Sequence, residues 1–192
     1  MTTTTDRGSA IDPLRILLAI FVVGIHTGFP DILPDLIKQM MLNGIYRLAV
    51  PVFALISGFF FLRAIKSGRA AVFLRRILTL YALWMLIYLT RYLPIIDNGW
   101  DAVSMAIFGY FHLWYLPGIL VAAVILLAMI RLNLSQRVII AVAVILAAIG
   151  LALQFLPLSG WADLPVNSFR NGICFVFPYF AIGYLLASRR EQ

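Results

Sequence analysis

The chain has 192 residues, of which 63% are hydrophobic and 12% charged, and a formal net charge of +7. Soluble domains carry about 45–50% apolar and 25% charged residues, so this composition excludes a water-soluble globule. The basic excess is not that of a nucleic-acid-binding protein, because Lys and Arg sit between apolar stretches instead of gathering on one water-facing surface. A single cysteine, Cys174, allows neither a disulfide framework nor a cysteine metal site within the chain, and no metal is expected.

A bilayer core about 30 Å thick takes roughly 20 apolar residues per helix. Six stretches meet that need, at about 13–29, 44–63, 73–91, 112–130, 138–156 and 171–188. The first follows Arg7 as the apolar part of a signal peptide would, but it holds Asp12, Arg15 and His26 and lacks a small-residue cleavage site, so it reads as a span. Between the third and fourth, residues 93–111 contain Pro94, Asp97, Asn98, Gly99 and Gly109 and read as a loop with an interfacial piece. The expected fold is an all-α polytopic transmembrane bundle of about six helices, one membrane domain over 1–192 with a cytoplasmic tail at 1–11.

Orientation follows from loop charge, since Lys and Arg accumulate on the cytoplasmic side. With the N-terminus inside, that side receives eleven of the basic residues, among them Arg63, Lys66, Arg69, Arg75, Arg76, Arg189 and Arg190; the far side receives four, Lys38, Arg47, Arg91 and Arg170. Both termini are thus expected in the cytoplasm of a cell bounded by this inner (plasma) membrane.

Charged residues inside a span cost ~2.5–3.5 kcal/mol each on translocon scales and mostly face the bundle interior, where they serve a function. Arg15 and His26 are eleven positions apart, which on a helix is three turns plus about 20°, so they share one face some 16 Å apart along the axis. Taken alone, Arg15 also fits a snorkelling interfacial anchor and His26 a satisfied helix-end residue, but together on one face they point to function. In the second span Arg47, Pro51, Ala54 and Gly58 fall at i, i+4, i+7 and i+11, an arginine heading a face of small residues that admits a close neighbour. Ser57 beside them has the chemistry of a nucleophile but no recognisable base, and packing is the stronger reading. His112 opens the fourth span in His112-Leu113-Trp114-Tyr115-Leu116-Pro117, where Trp114 and Tyr115 also suit an aromatic belt; Arg170-Asn171 precedes the sixth. His26, Arg47, His112 and Arg170 are therefore expected at one level, the outer mouth of the bundle. On the other side the cluster Arg63, Lys66, Arg69, Arg75 and Arg76 suits phosphates of a cofactor or of lipid head groups, although positive-inside topology alone would also produce it.

These residues resemble the acyltransferase 3 family of multi-span membrane acyltransferases. The resemblance is carried by Asp12-x-x-Arg15 and, after ten intervening residues, His26; by Arg47-x-x-Val50-Pro51-x-Phe53-x-x-x-Ser57-Gly58-Phe59; by Arg75-Arg76; by the run at 112–116; and by Phe169-Arg170-Asn171 and Pro178-Tyr179-Phe180-x-x-Gly183-Tyr184. It implies transfer of an acyl group, commonly acetyl, from acyl-CoA as donor substrate, with no permanently bound cofactor, to a hydroxyl of a cell-surface or lipid-linked glycan. It maps the family's first-span histidine, thought to be catalytic, onto His26 and its first-span arginine onto Arg15. Arg47, His112, Arg170, Arg75 and Arg76 are the expected binding residues. Family members usually have about ten spans, so this chain is expected to be an N-terminal part or a shortened member, completed by further helices or by a second copy. A transporter whose intramembrane Arg and His line a path, or an inactive membrane scaffold, are the competing readings.

Overall fold

A computed structural model describes residues 11–28 and 33–190. Arg7 and Asp31 lie outside the described residues. The longer helices among the described residues are α1 Ile11–Thr27, α2 Asp35–Asn43, α3 Ala49–Lys66, α4 Ala70–Ile87, α5 Gly99–Phe108, α6 Tyr115–Arg131, α7 Gln136–Leu158 and α8 Phe177–Arg190, with one short α-helical turn at Leu89–Tyr92. There is no strand among the described residues. Single turns of 3-10 helix lie at Ile45–Leu48, Leu93–Ile95, Phe111–Trp114 and Val166–Ser168, and a π-helical turn, Gly172–Val176, leads into α8. This is the expected all-α polytopic bundle.

Among the described residues five helical runs are long and apolar enough to cross a membrane: Asp35–Lys66, Ala70–Ile87, Phe111–Arg131, Gln136–Leu158 and Gly172–Arg190. The first expected span is α1, whose 17 described residues reach about 25 Å at 1.5 Å per residue. Two connections between the long helices carry short helices of their own. Residues 35–43 form α2, with Leu36, Ile37 and Met40 exposed on one side. In 93–111, expected to be a loop with an interfacial piece, the helix is α5, started by Asn98, whose side-chain oxygen accepts from the Trp100 and Asp101 amides at 2.9 and 3.0 Å. Its exposed Trp100, Val103 and Ile107 fall at i, i+3 and i+7, one apolar stripe facing away from the protein.

The chain forms two compact units, residues 1–53 and 54–192, with α3 running through the boundary. In the first, α1 packs on the turn 45–48. Gly24 leaves room for the Tyr46 ring, Phe21 stacks on that ring at 5.1 Å, and Leu18 is buried on the same side.

In the second unit the core is built of Ala54, Phe61, Ile119, Ala122, Leu126, Phe177 and Phe180 with their neighbours. Lipid tails are as apolar as these side chains, so close packing rather than water exclusion must hold the helices together. Glycine makes that packing dense. A Cβ at Gly58 would collide with the backbone carbonyl of Phe180, and one at Gly183 with the carbonyl of Leu55, so α3 and α8 touch main chain to main chain. The small-residue face Ala54 and Gly58 is thus used as its spacing predicted. Rings seal the seam: Phe61 lies 4.9 Å from Phe73 and 5.3 Å from Phe180.

Candidate functional site

In the first unit α1 carries the polar stripe. Asp12 and Arg15 form an ion pair of 3.4 Å one turn apart, and His26 is exposed in the last turn. Taking Arg15 as the origin, 100° per residue places Leu18, Phe21 and Gly24 near 300°, 240° and 180° and His26 near 20°. The stripe therefore points well away from the face that packs on Tyr46. Arg47 follows Tyr46 directly, and the Gly24–Tyr46 contact brings its turn alongside the last turn of α1, the turn that holds His26.

The expected shared face of Arg47 with Pro51, Ala54 and Gly58 needs correction, because a 3.6-residue register holds only within a continuous α-helix. Arg47 sits in the 3-10 turn, is exposed, and reaches back to α2. Its Nη2 donates to Asn43 Oδ1 at 2.9 Å and its Nε to the Leu42 carbonyl at 3.4 Å, while Asn43 Nδ2 donates to Gln39 Oε1 at 2.7 Å. A polar relay of Gln39, Asn43 and Arg47 results.

In the second unit His112 lies among rings. Its imidazole stands edge-on to Tyr88 at 5.6 Å and 86°, and to Phe111 at 5.6 Å and 84°. Tyr88 also meets Trp84 at 5.9 Å and Tyr110 at 5.7 Å, and Tyr110 meets Tyr92 at 5.9 Å. All these separations are in the range of favourable aromatic pairs. Phe111 has φ of +52°, a conformation that costs a bulky residue about 1–3 kcal/mol, and its ring is 66% exposed. Tyr88, Tyr92 and Tyr110 were not among the expected site residues. The recurrence of Trp84, Tyr88 and Tyr92 every four positions is the signal that marks them.

Arg170 follows the turn 166–168 and is half-buried, its amide donating to the Val166 carbonyl at 2.9 Å. Asn171 has a structural task. Its Oδ1 accepts from Ile173 and Cys174 amides at 2.9 and 2.8 Å, and its Nδ2 donates to the Asn167 and Ser168 carbonyls at 3.1 and 3.0 Å, capping the π-helical turn and anchoring the loop before it. Ser57 lies beside the Tyr115 hydroxyl. That hydroxyl is buried and makes no hydrogen bond of good geometry among the described residues. Two hydroxyls supply no base, so the packing role for Ser57 stands.

Arg75 and Arg76 sit in the second turn of α4, both exposed, and with Thr79, Leu80 and Leu83 line a shallow groove of about 360 Å³. A second groove of about 510 Å³ runs between α4 and α6, lined by Ala71, Leu74, Val124, Leu127 and Ala128 with Arg131 among them. Twelve residues of helix and its end, ~18 Å at 1.5 Å each, part Arg76 from Tyr88 and the His112 cluster. The second unit thus has a basic end and an aromatic end. No group of three or more His, Cys, Asp or Glu poised for a metal occurs among the described residues.

The profile of the acyltransferase 3 family, described as an acyltransferase domain, matches residues 9–192. Among curated proteins, one called amino-acid racemase from Enterococcus faecalis is 28% identical in an alignment of 163 positions covering 76% of this chain and 22% of that protein. The chain thus spans about a fifth of that relative's length, and the name it bears describes a protein most of which lies outside the alignment. No solved structure matches. With every residue from the start of α1 to the end of α8 inside the family match, the chain belongs to the acyltransferase 3 family.

Proposed function

We propose that this chain takes part in moving an acyl group, acetyl in the simplest case, from acyl-CoA on the cytoplasmic side to a hydroxyl of a cell-surface or lipid-linked glycan on the outer side of the plasma membrane. The observation that carries the reading is the stripe on α1: Arg15 and His26 share a side of the helix that the packing against Tyr46 leaves open, three turns apart. In this reading both termini are cytoplasmic; within the second unit the end with Arg75, Arg76 and Arg131 suits the nucleotide phosphates of the donor, and within the first the stripe on α1 leads to His26.

The chemistry asks little of the protein beyond a base and positive charge. His26 takes the proton of the acceptor hydroxyl as its oxygen attacks the thioester carbonyl. The carbonyl electrons move onto oxygen, where Arg47, in the turn beside the last turn of α1, meets the charge. Collapse of that intermediate breaks the C–S bond, and the departing thiolate receives the proton that His26 holds, giving the ester and free CoA. General-base help of this kind is worth typically 10²–10⁴-fold in rate.

The test is acyl transfer to cell-surface glycan in membranes, normalised to the amount of inserted protein, together with release of CoA thiol. His26→Ala is expected to lower turnover about 10²–10⁴-fold with insertion unchanged, since loss of one imidazole at a helix end opens no large cavity. Wild-type rates in His26→Ala would refute the general-base role. Uptake of a solute with neither thiol release nor acylated product would replace the whole reading with transport.

A further inference from the structure

We infer that the ring cluster around His112 is a stacking platform for a pyranose ring of the acceptor. The inference rests on the acyltransferase reading above and adds to it a site and a mode of recognition. An aromatic belt at a membrane interface needs only that each ring sit at the level of the head groups, not that the rings touch one another. The arrangement here is different. Rings from three separate segments, the last turn of α4, the turn Leu89–Tyr92 and the stretch 110–112, touch one another in succession. Tyr88 is the hub, in contact with Trp84, Tyr110 and His112. It is half-buried, as are Tyr92, Tyr110 and His112, whereas Trp84 and Phe111 stay exposed at the rim.

A pyranose presents the same division of character. Its ring C–H bonds form an apolar face of slight positive charge, attracted by the negative face of an aromatic ring, and its hydroxyls point outward around the edge. The platform meets both parts. Three phenol hydroxyls, the Trp84 indole N–H and the His112 imidazole supply donors and acceptors beside the ring faces. A lipid tail has no use for them. The left-handed backbone at Phe111 holds the segment in the shape that puts Tyr110 against Tyr88 and Tyr92 on one side and His112 against Tyr88 on the other.

The experiment is saturation-transfer NMR on the full chain in lipid nanodiscs, irradiating aromatic protons, with chitohexaose and maltohexaose as probes and sorbitol as an open-chain polyol. Transfer to the ring C–H protons of either hexaose, and none to sorbitol, is expected for the wild type. Tyr88→Leu or Tyr110→Leu should weaken binding about fivefold each, and Tyr88→Phe or Tyr110→Phe should retain most of it. Should a leucine variant fail to insert, Phe111→Ala at the exposed rim and the phenylalanine variants still decide the matter, with weakened binding expected in the first. Transfer to sorbitol equal to that of the sugars, absence of transfer in the wild type, or leucine variants that bind like wild type would overturn the platform. Thiol release from acyl-CoA, measured in the same nanodiscs, separates the two ideas: sugar binding without it sinks the acyltransferase reading and leaves the platform, and the reverse leaves the enzyme without this site.

Discussion

Replacing Gly58 by alanine tests the packing of the second unit where it is tightest. The new Cβ would lie 2.7 Å from the Phe180 carbonyl carbon and 3.0 Å from its Cα, besides its collision with the carbonyl oxygen. Carbon atoms rest at about 3.5–4.0 Å, so α3 and α8 must part by roughly 1 Å. Neither neighbour is the flexible end of a side chain, and the strain cannot be relieved by a rotamer change. A gap of that size forfeits about a quarter to a half of the attraction of each contact it opens, including those around Phe61 and Phe180. The expected loss is about 3 kcal/mol, the upper part of the overpacking range. The assay is SDS titration of the purified protein in mixed micelles, followed by far-UV circular dichroism. Gly99→Ala, where nothing lies within 4 Å, should stay within about 0.5 kcal/mol of wild type. Gly183→Ala should behave like Gly58→Ala, and the double variant should lose less than the two together, because both force open one seam. If Gly58→Ala and Gly183→Ala unfold with Gly99→Ala, the main-chain contact is not there.

Reporter fusions after Lys66 and after Asp97 should reveal opposite sides of the membrane, the first cytoplasmic; the same side for both would discard the proposed topology. Asn171→Ala should cost about 1–2 kcal/mol in the same SDS titration, since it removes a cap that accepts two bonds and donates two, and Asn171→Asp should recover part of that; no change would mean that the turn is held by packing alone. Arg75→Ala and Arg76→Ala should raise the acyl-CoA concentration needed for half-maximal turnover with little change at saturation, as expected for groups that bind the donor in ground and transition states alike. A fall in saturating rate with unchanged half-saturation would place them in the chemistry instead.

The elements most legible in the sequence were those whose signal is long. Twenty apolar residues between basic loops can hardly be other than a span, and α4, α6, α7 and α8 lie close to their expected bounds. The small residues Ala54 and Gly58 announced a close neighbour, though not which one; that Phe180 and Gly183 answer them is a matter of tertiary pairing that spacing within one helix does not encode. Arg47 was read as heading the α3 face because nothing in Ile45-Tyr46-Arg47-Leu48 distinguishes a 3-10 turn from the first turn of α3; in that turn its side chain reaches back to Leu42 and Asn43. The helix α2 was missed for being short, its nine residues too few for periodicity to stand out. Asn171, read as part of a polar site, is a cap. Asn and Asp serve both purposes, and only its four hydrogen bonds tell them apart. The aromatic cluster was dispersed over three segments, and each ring alone looked like an interface anchor.

The contact between α3 and α8 also bears on how the protein is made. Its two halves are far apart in the chain, and helices leave the insertion machinery in order, so α3 enters the lipid well before its partner exists. At about 5–20 residues per second, synthesis of the stretch from Gly58 to Gly183 takes roughly 6–25 s. For that time the glycine groove of α3 faces lipid or a provisional neighbour, with little to hold it there, because small residues offer few atoms for attraction. Closing of the seam is therefore a late event, set by the clock of translation rather than by the microsecond motions of a finished helix pair. A stall of the ribosome between α7 and α8 would leave a chain fully inserted and unassembled, the state in which membrane quality-control proteases find their substrates.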